Sequence, residues 1–191
     1  MTYRLLLLIG LFSSYAYAES PRTRFEFGMS NGFLSRSSPA LSSGYGGGLN
    51  VGVSYFLNPH LSVGVGYEMV YDFSKSRFAL SGFDLPLKWY FWGEGVPVVS
   101  GTPEITSATK RRYAFYVGPC VVQRNYILGT SDSPSSGNSV SLNIAVGAEM
   151  ALSQKFSLVA QFTYGFVTLL ASEDRFKIRQ TGFILGGSYS F

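Results

Sequence analysis

The chain is short of most groups that carry enzyme chemistry. Of its 191 residues one is cysteine, one is histidine, and only 14% are charged. A single thiol, Cys120, cannot close an internal disulfide, so the fold must be held by its backbone ladder and its packing. No Cys/His group has zinc-ligand spacing, and no glycine-rich phosphate loop is present. His60 follows Asn58 and Pro59 in a tight turn, which suits a solvated side chain better than the base of a Ser-His or Asp-His mechanism. Cys120 reads as a small buried side chain, since no histidine stands near it to form a reactive thiolate pair. The formal charge is +4, yet the basic residues do not cluster among stacking aromatics, which excludes a nucleic-acid interface. After the first twenty residues no apolar run reaches ~18 residues, so no transmembrane helix is expected. Catalytic residues, metal ligands and cofactor-binding residues are all expected to be none.

What is present is glycine and aromatic side chains: 22 Gly, 16 Phe and 13 Tyr. Residues 1–18 come in secretory order, with Arg4, the apolar run Leu5 to Phe12, and then Ala16-Tyr17-Ala18. That pattern predicts a signal peptide cleaved after Ala18, leaving residues 19–191 as one domain. Hydrophobicity in that domain alternates rather than running on. Thr181 to Phe191 puts Phe183, Leu185, Tyr189 and Phe191 on one parity and Gly182, Gly186, Ser188 and Ser190 on the other. Leu61 to Phe73 is the cleanest case, with seven large apolar residues facing Ser62, Gly64, Gly66, Glu68, Val70 and Asp72.

Six more segments share this period: 22–34, 44–57, 78–91, 113–126, 139–152 and 156–169. The segment from 78 changes parity near Ser81-Gly82, which predicts a bulge there, and Pro86 weakens its ladder. Tight turns are predicted at 58–60 and 153–155, a polar loop at 35–43, another from Leu128 to Asn138, and a long connection from Trp92 to Arg112. Eight strands in sequence-adjacent hairpins leave unpaired edges unless the sheet closes, and lipid offers those edges no partner. The expected fold is all-β, an eight-stranded antiparallel up-and-down transmembrane β-barrel. The last strand should close it against the first around Phe25 to Met29.

The alternating strands, the stretch Asp84-Leu85-Pro86-Leu87-Lys88-Trp89-Tyr90-Phe91, the segment Tyr116-Val117-Gly118 and the terminal Tyr189-Ser190-Phe191 together resemble the small outer-membrane β-barrel proteins of Gram-negative bacteria, the OmpA/OmpX-like group. The resemblance covers everything after the signal. It implies a multi-pass location in the cell outer membrane, outer-membrane lipids as surroundings, and recognition by the barrel-assembly machinery. Phe183, Leu185, Tyr189 and Phe191 match that assembly signal, with Gly187 as a gap in it. It also implies that both termini lie in the periplasm, and the tethering role of the group's two-domain members is not implied, since no peptidoglycan-binding domain is expected after the barrel.

Inward parity collects the charges Arg24, Glu26, Glu68, Asp72, Asp84, Lys88, Arg124 and Glu149. Two readings stand. These side chains either line a narrow pore, with weak cation preference from the excess of carboxylates, or pair across a filled interior. An eight-stranded barrel is just wide enough for side chains to fill, which favours pairing. Trp89, Trp92 and Tyr113 bracket the long connection as a periplasmic girdle, beside Lys110-Arg111-Arg112, which suits anchoring against anionic headgroups. The alternative use of the connection is docking of an unidentified periplasmic partner on 96–106. The favoured function is a non-enzymatic structural or surface-interaction role, with an extracellular partner meeting the loops at 35–43 and 128–138. The alternative is a narrow channel or transporter for ions or small apolar molecules. A third reading, a soluble lipocalin-like barrel, requires apolar residues inside and polar ones outside.

Overall fold

The computed structural model describes residues 22–36, 44–72, 77–95, 98–100, 107–109, 112–129, 134–173 and 178–191. The strands in chain order are β1 (Thr23–Arg36), β2 (Gly44–Asn58), β3 (Leu61–Asp72), β4 (Arg77–Trp92), β5 (Val98–Ser100), β6 (Ser107–Thr109), β7 (Tyr113–Gly129), β8 (Pro134–Ala151), β9 (Phe156–Ala171) and β10 (Ile178–Ser190). Eight of them form one closed antiparallel barrel in the order β1-β10-β9-β8-β7-β4-β3-β2. The seam between the ends of the chain registers Phe25 with Tyr189 and Met29 with Leu185. Beyond it the Phe191 N–H donates to the Thr23 carbonyl at 3.0 Å.

The period of two decides which side each residue takes. Met29, Leu49, Val65, Phe83, Leu85, Phe162 and Leu185 are exposed on the outer surface, while Arg24, Glu68, Lys88, Arg124 and Glu149 are buried within. That is the reverse of a soluble barrel and overturns the lipocalin-like reading. The turn after β2 is held by the His60 N–H donating to Asn58 Oδ1 at 2.8 Å. After β8, the Lys155 and Phe156 N–H groups donate to Ser153 Oγ at 3.3 and 3.0 Å. Both turns lie at the end of the barrel that carries β1 Thr23 and β10 Ser190, here termed the terminal end.

Several boundaries differ from expectation. The bulge in β4 falls earlier than Ser81-Gly82: Val70 registers with Leu80 but Tyr71 with Phe78, so Ala79 is the extra residue. Pro86 is tolerated because its ladder is one-sided. It registers with Cys120 on β7, whereas toward β3 the pairs pass from Val63–Leu87 to Gly66–Asp84. The hairpin β7–β8 continues to Gly129–Pro134, so most of the polar loop predicted from Leu128 to Asn138 is strand. Alternation is weak there because Ser, Gly and Asn are small on both faces, which hides the period. The long connection after Trp92 contains the two-stranded ribbon β5–β6. The predicted loop residues 37–43 and the basic pair Lys110 and Arg111 lie outside the described residues.

The chain leaves β4 by turning across the terminal mouth of the barrel. Gly93 has φ of 74°, a left-handed conformation that glycine adopts without a Cβ penalty. Its turn lets the buried Gly95 donate its N–H to the Pro59 carbonyl at 2.9 Å. A Cβ on Gly95 would stand 2.3 Å from the Phe56 ring and 2.7 Å from the Tyr90 ring. The segment therefore lies directly on the innermost aromatic layer.

Candidate functional site: the filled lumen

The interior is built in layers set by inward positions that share a register row. At the terminal end Phe56, Tyr90, Ala114 and Tyr116 form a buried apolar layer. Above it are two ion pairs. Arg24, fully buried at 0% exposure, donates from Nη1 to both carboxylate oxygens of Glu149 at 2.8 and 2.7 Å. The Tyr90 hydroxyl donates to the same carboxylate at 2.8 Å, and the Arg24 guanidinium lies 4.7 Å over the Phe56 ring. Lys88 donates to the two oxygens of Glu26 at 2.7 and 2.6 Å, with Ser54 Oγ adding a third hydrogen bond at 2.6 Å. The Lys88 amine sits 5.0 Å over Tyr116, whose hydroxyl donates to Gln161 at 2.8 Å.

The second cluster centres on Arg124. Its Nη2 meets Glu68 at 2.5 Å and Asp84 at 2.7 Å. Gln180 ties this cluster together. Its side-chain carbonyl accepts from Arg124 Nε at 3.2 Å, and its amide donates to Glu68 at 2.9 Å. Arg124 Nη1 also donates to the main-chain carbonyls of Phe83 and Gln123, both at 3.2 Å. Beyond this cluster Val70, Leu80, Tyr126 and Ile178 form a second apolar layer toward the opposite end. Between the two ionic clusters is a cavity of about 50 Å³, lined among others by Asn50, Cys120, Asn143 and Gln161. Such a volume holds roughly three waters, which is small beside the charges that line it.

The charges thus separate into groups that are paired at contact distance. A lone charge would be very costly when buried this far from bulk water, and each cation here has at least one carboxylate. Seven of the eight inward charges read from the sequence meet in these clusters: Arg24 with Glu149, Lys88 with Glu26, and Arg124 with Glu68 and Asp84. The side chain of the eighth, Asp72, lies outside the described residues. The polar partners Tyr90, Gln161, Gln180 and Ser54 are harder to find from sequence. Tyr90 stands in sequence between the girdle residues Trp89 and Trp92, but it is buried and belongs to the Arg24–Glu149 pair. The available signal is parity, since Tyr90 shares the inward face with Lys88.

A model of the outer membrane protein beta-barrel domain matches residues 5–191. The chain belongs to this family. It is an outer-membrane barrel that crosses with strands, in a lipid environment. Among solved structures it is similar to Neisserial surface protein A, at a TM-score of 0.67 and 16% identity, covering 91% of this chain and 100% of that one. The N-terminal β-barrel domain of Pseudomonas aeruginosa OprF gives 0.53 at 16% identity, covering 91% and 100%. Ail, the attachment invasion locus protein of Yersinia pestis, gives 0.53 at 11% identity, covering 90% and 99%. At these identities the likeness is one of fold. No curated protein matches the chain by sequence.

For a member of this family the outward residues face hydrocarbon. Trp89, Trp92 and Tyr113 are exposed at the terminal end, and the Arg112 guanidinium lies 5.7 Å over the Tyr113 ring. Phe91 and Trp92 both face out because the register slips between Tyr90 and Trp92, a bulge that puts two consecutive side chains on one surface. At the same end Tyr189 and Phe191 pack edge to face with centroids 5.3 Å apart, and Phe183 and Leu185 continue their outward row. His60 bonds the Tyr90 carbonyl through Nδ1 at 3.2 Å, which gives the turn histidine a structural partner. Cys120 is buried and free, and among the described residues no group of His, Cys, Asp and Glu could hold a metal ion.

Proposed function

We propose that the protein is a non-enzymatic outer-membrane barrel with a structural or surface-interaction role and a lumen that does not conduct. The observation that carries this reading is the layered interior, in which paired charges are enclosed between two apolar layers. Conduction through eight strands needs a continuous hydrated path, and the layers of Tyr116 and Leu80 are built of buried apolar and aromatic side chains. The segment at Gly95 adds a further cover over the terminal mouth. Purified protein in a planar bilayer is expected to give a flat current trace. Steady single-channel steps of uniform size would replace this reading with the narrow-channel alternative.

The terminal end is taken as periplasmic, with Trp89, Trp92 and Tyr113 as its aromatic girdle and Arg112 near anionic headgroups. A partner on the cell surface would then meet the opposite end. Phe183, Leu185, Tyr189 and Phe191 are proposed as the assembly signal, and residues 1–18 as the cleaved signal peptide. Deleting Phe191 is expected to lower the amount of heat-modifiable barrel in the outer-membrane fraction severalfold, with the remaining protein beginning at Glu19. An unchanged amount would remove the assembly role, and a start upstream of Glu19 would remove the cleavage site.

A further inference from the structure

Among the described residues the outer surface carries a cleft that the lumen and the aromatic girdle do not account for. It has a volume of about 490 Å³ and is lined by Met29, Ser30, Asn31, Gly47, Gly48, Leu49, Met69 and Tyr71. Register explains its shape. Met29, Leu49 and Met69 stand side by side in one row across β1, β2 and β3, and Asn31, Gly47 and Tyr71 form the next outward row. Gly47 leaves that second row without a central side chain. Ser30 and Gly48 have inward parity, so they contribute main chain to the floor. The walls are Met29, exposed at 69%, Leu49 at 57% and Met69 at 38%, with Asn31 and Tyr71 completing the upper side.

The height of the cleft identifies its surroundings. Asn31 stands eight residues beyond Thr23 on β1, about 20 Å up the barrel axis for a rise of ~3.3 Å per residue and a tilt of ~40°. With the terminal end periplasmic, as proposed above, and Thr23 at the lower edge of a lipid-facing band roughly 25 Å tall, that is the upper part of the band, and the cleft opens into the outer leaflet just below its polar boundary. Its volume falls in the range of ligand pockets, about 300–1,000 Å³. Three of its walls are unbranched or singly branched apolar chains, two of them the adaptable side chain of methionine.

We propose that this cleft is a binding site for one acyl chain of an outer-leaflet lipid, which lies against the Gly47 backbone between Met29, Leu49 and Met69. An acyl chain is the occupant that the environment supplies, and its width suits a trough one missing side chain wide. A second copy of the barrel fits less well, because Met29 and Tyr71 rise beside the trough and a flat protein surface would touch the walls and leave the floor empty. The chain ends near Asn31 and Tyr71, which places its ester oxygens level with polar side chains.

The test uses the refolded full-length mature barrel in dimyristoylphosphatidylcholine vesicles containing a phosphatidylcholine with a diazirine on one acyl chain a few carbons from its ester, level with the row of Met29, Leu49 and Met69. After illumination, lipid adducts are mapped by mass spectrometry. Wild type is expected to carry severalfold more adducts at Met29, Leu49 and Met69 than at Leu185 and Phe183, the outward residues that register with Met29 and Asn31 across the seam. Gly47→Leu fills the trough and is expected to remove the excess while keeping heat-modifiable migration. Should that variant not fold, Leu49→Ala opens one wall and is expected to lower the excess instead. Equal labelling at all five residues in wild type overturns the proposal. So does a dimer in native mass spectrometry that Gly47→Leu dissociates, since that assigns the cleft to a second copy.

Discussion

Replacing Arg124 with methionine is expected to destabilise the barrel by about 3–5 kcal/mol, the usual cost of removing one partner from a buried ionic cluster. The reason is local arithmetic. Among the described residues Arg124 is the only cation in contact with Glu68 and Asp84, and its removal leaves two carboxylates facing each other across a space too small to hydrate both. Gln180 cannot compensate, because its amide already donates to Glu68. Urea titration of folding into vesicles, followed by tryptophan fluorescence, measures the loss. The combined variant Arg124→Met, Glu68→Gln, Asp84→Asn is expected to recover most of it, since the charges that were stranded are gone and the three sites are directly coupled. A single variant within about 1 kcal/mol of wild type would show that this cluster is solvated like a surface pair.

Gly118→Ala is expected to cost about 3 kcal/mol, the upper end of the range for overpacking. A Cβ at Gly118 would lie 1.7 Å from the Leu87 carbonyl oxygen. That oxygen is main chain, so relief requires strands β4 and β7 to move apart where Pro86 and Pro119 already limit the ladder. Gly32→Ala is the matched control. Its nearest neighbour would be the Gln180 amide nitrogen at 3.8 Å, an ordinary contact, and the unfolding midpoint is expected to stay near wild type. Equal midpoints for both variants would show that β4 and β7 separate at little cost. In the outer-membrane fraction the same contrast should appear as reduced barrel for Gly118→Ala alone.

The architecture was legible in the residues because one physical rule governs nearly every position. Apolar side chains must meet lipid, and the inward face of a narrow barrel must be small or paired, so the period of two is strong in segments such as Leu61 to Tyr71. It fades where both faces are small, as from Pro134 to Asn138, which is why a strand there reads as a loop. Bulges are hidden for a related reason. Ala79 looks like any strand residue, and only the register of Val70 with Leu80 and Tyr71 with Phe78 reveals it as extra.

Parity alone is enough to gather the inward charges, including Arg24, Glu68, Lys88, Arg124 and Glu149. Their pairing is beyond sequence, because partners such as Arg24 and Glu149 are separated by 125 positions and meet only after the sheet closes. The same closure brings the Tyr90 hydroxyl to Glu149 and sets Gly47 between Asn31 and Tyr71. What the sequence determined by itself, then, is which face of each strand turns outward, and with it the membrane barrel and the seam from Thr181 to Phe191. What the tertiary structure decided is which side chains touch across the lumen and across neighbouring strands, since those contacts depend on register and curvature, and neither is written in any local pattern.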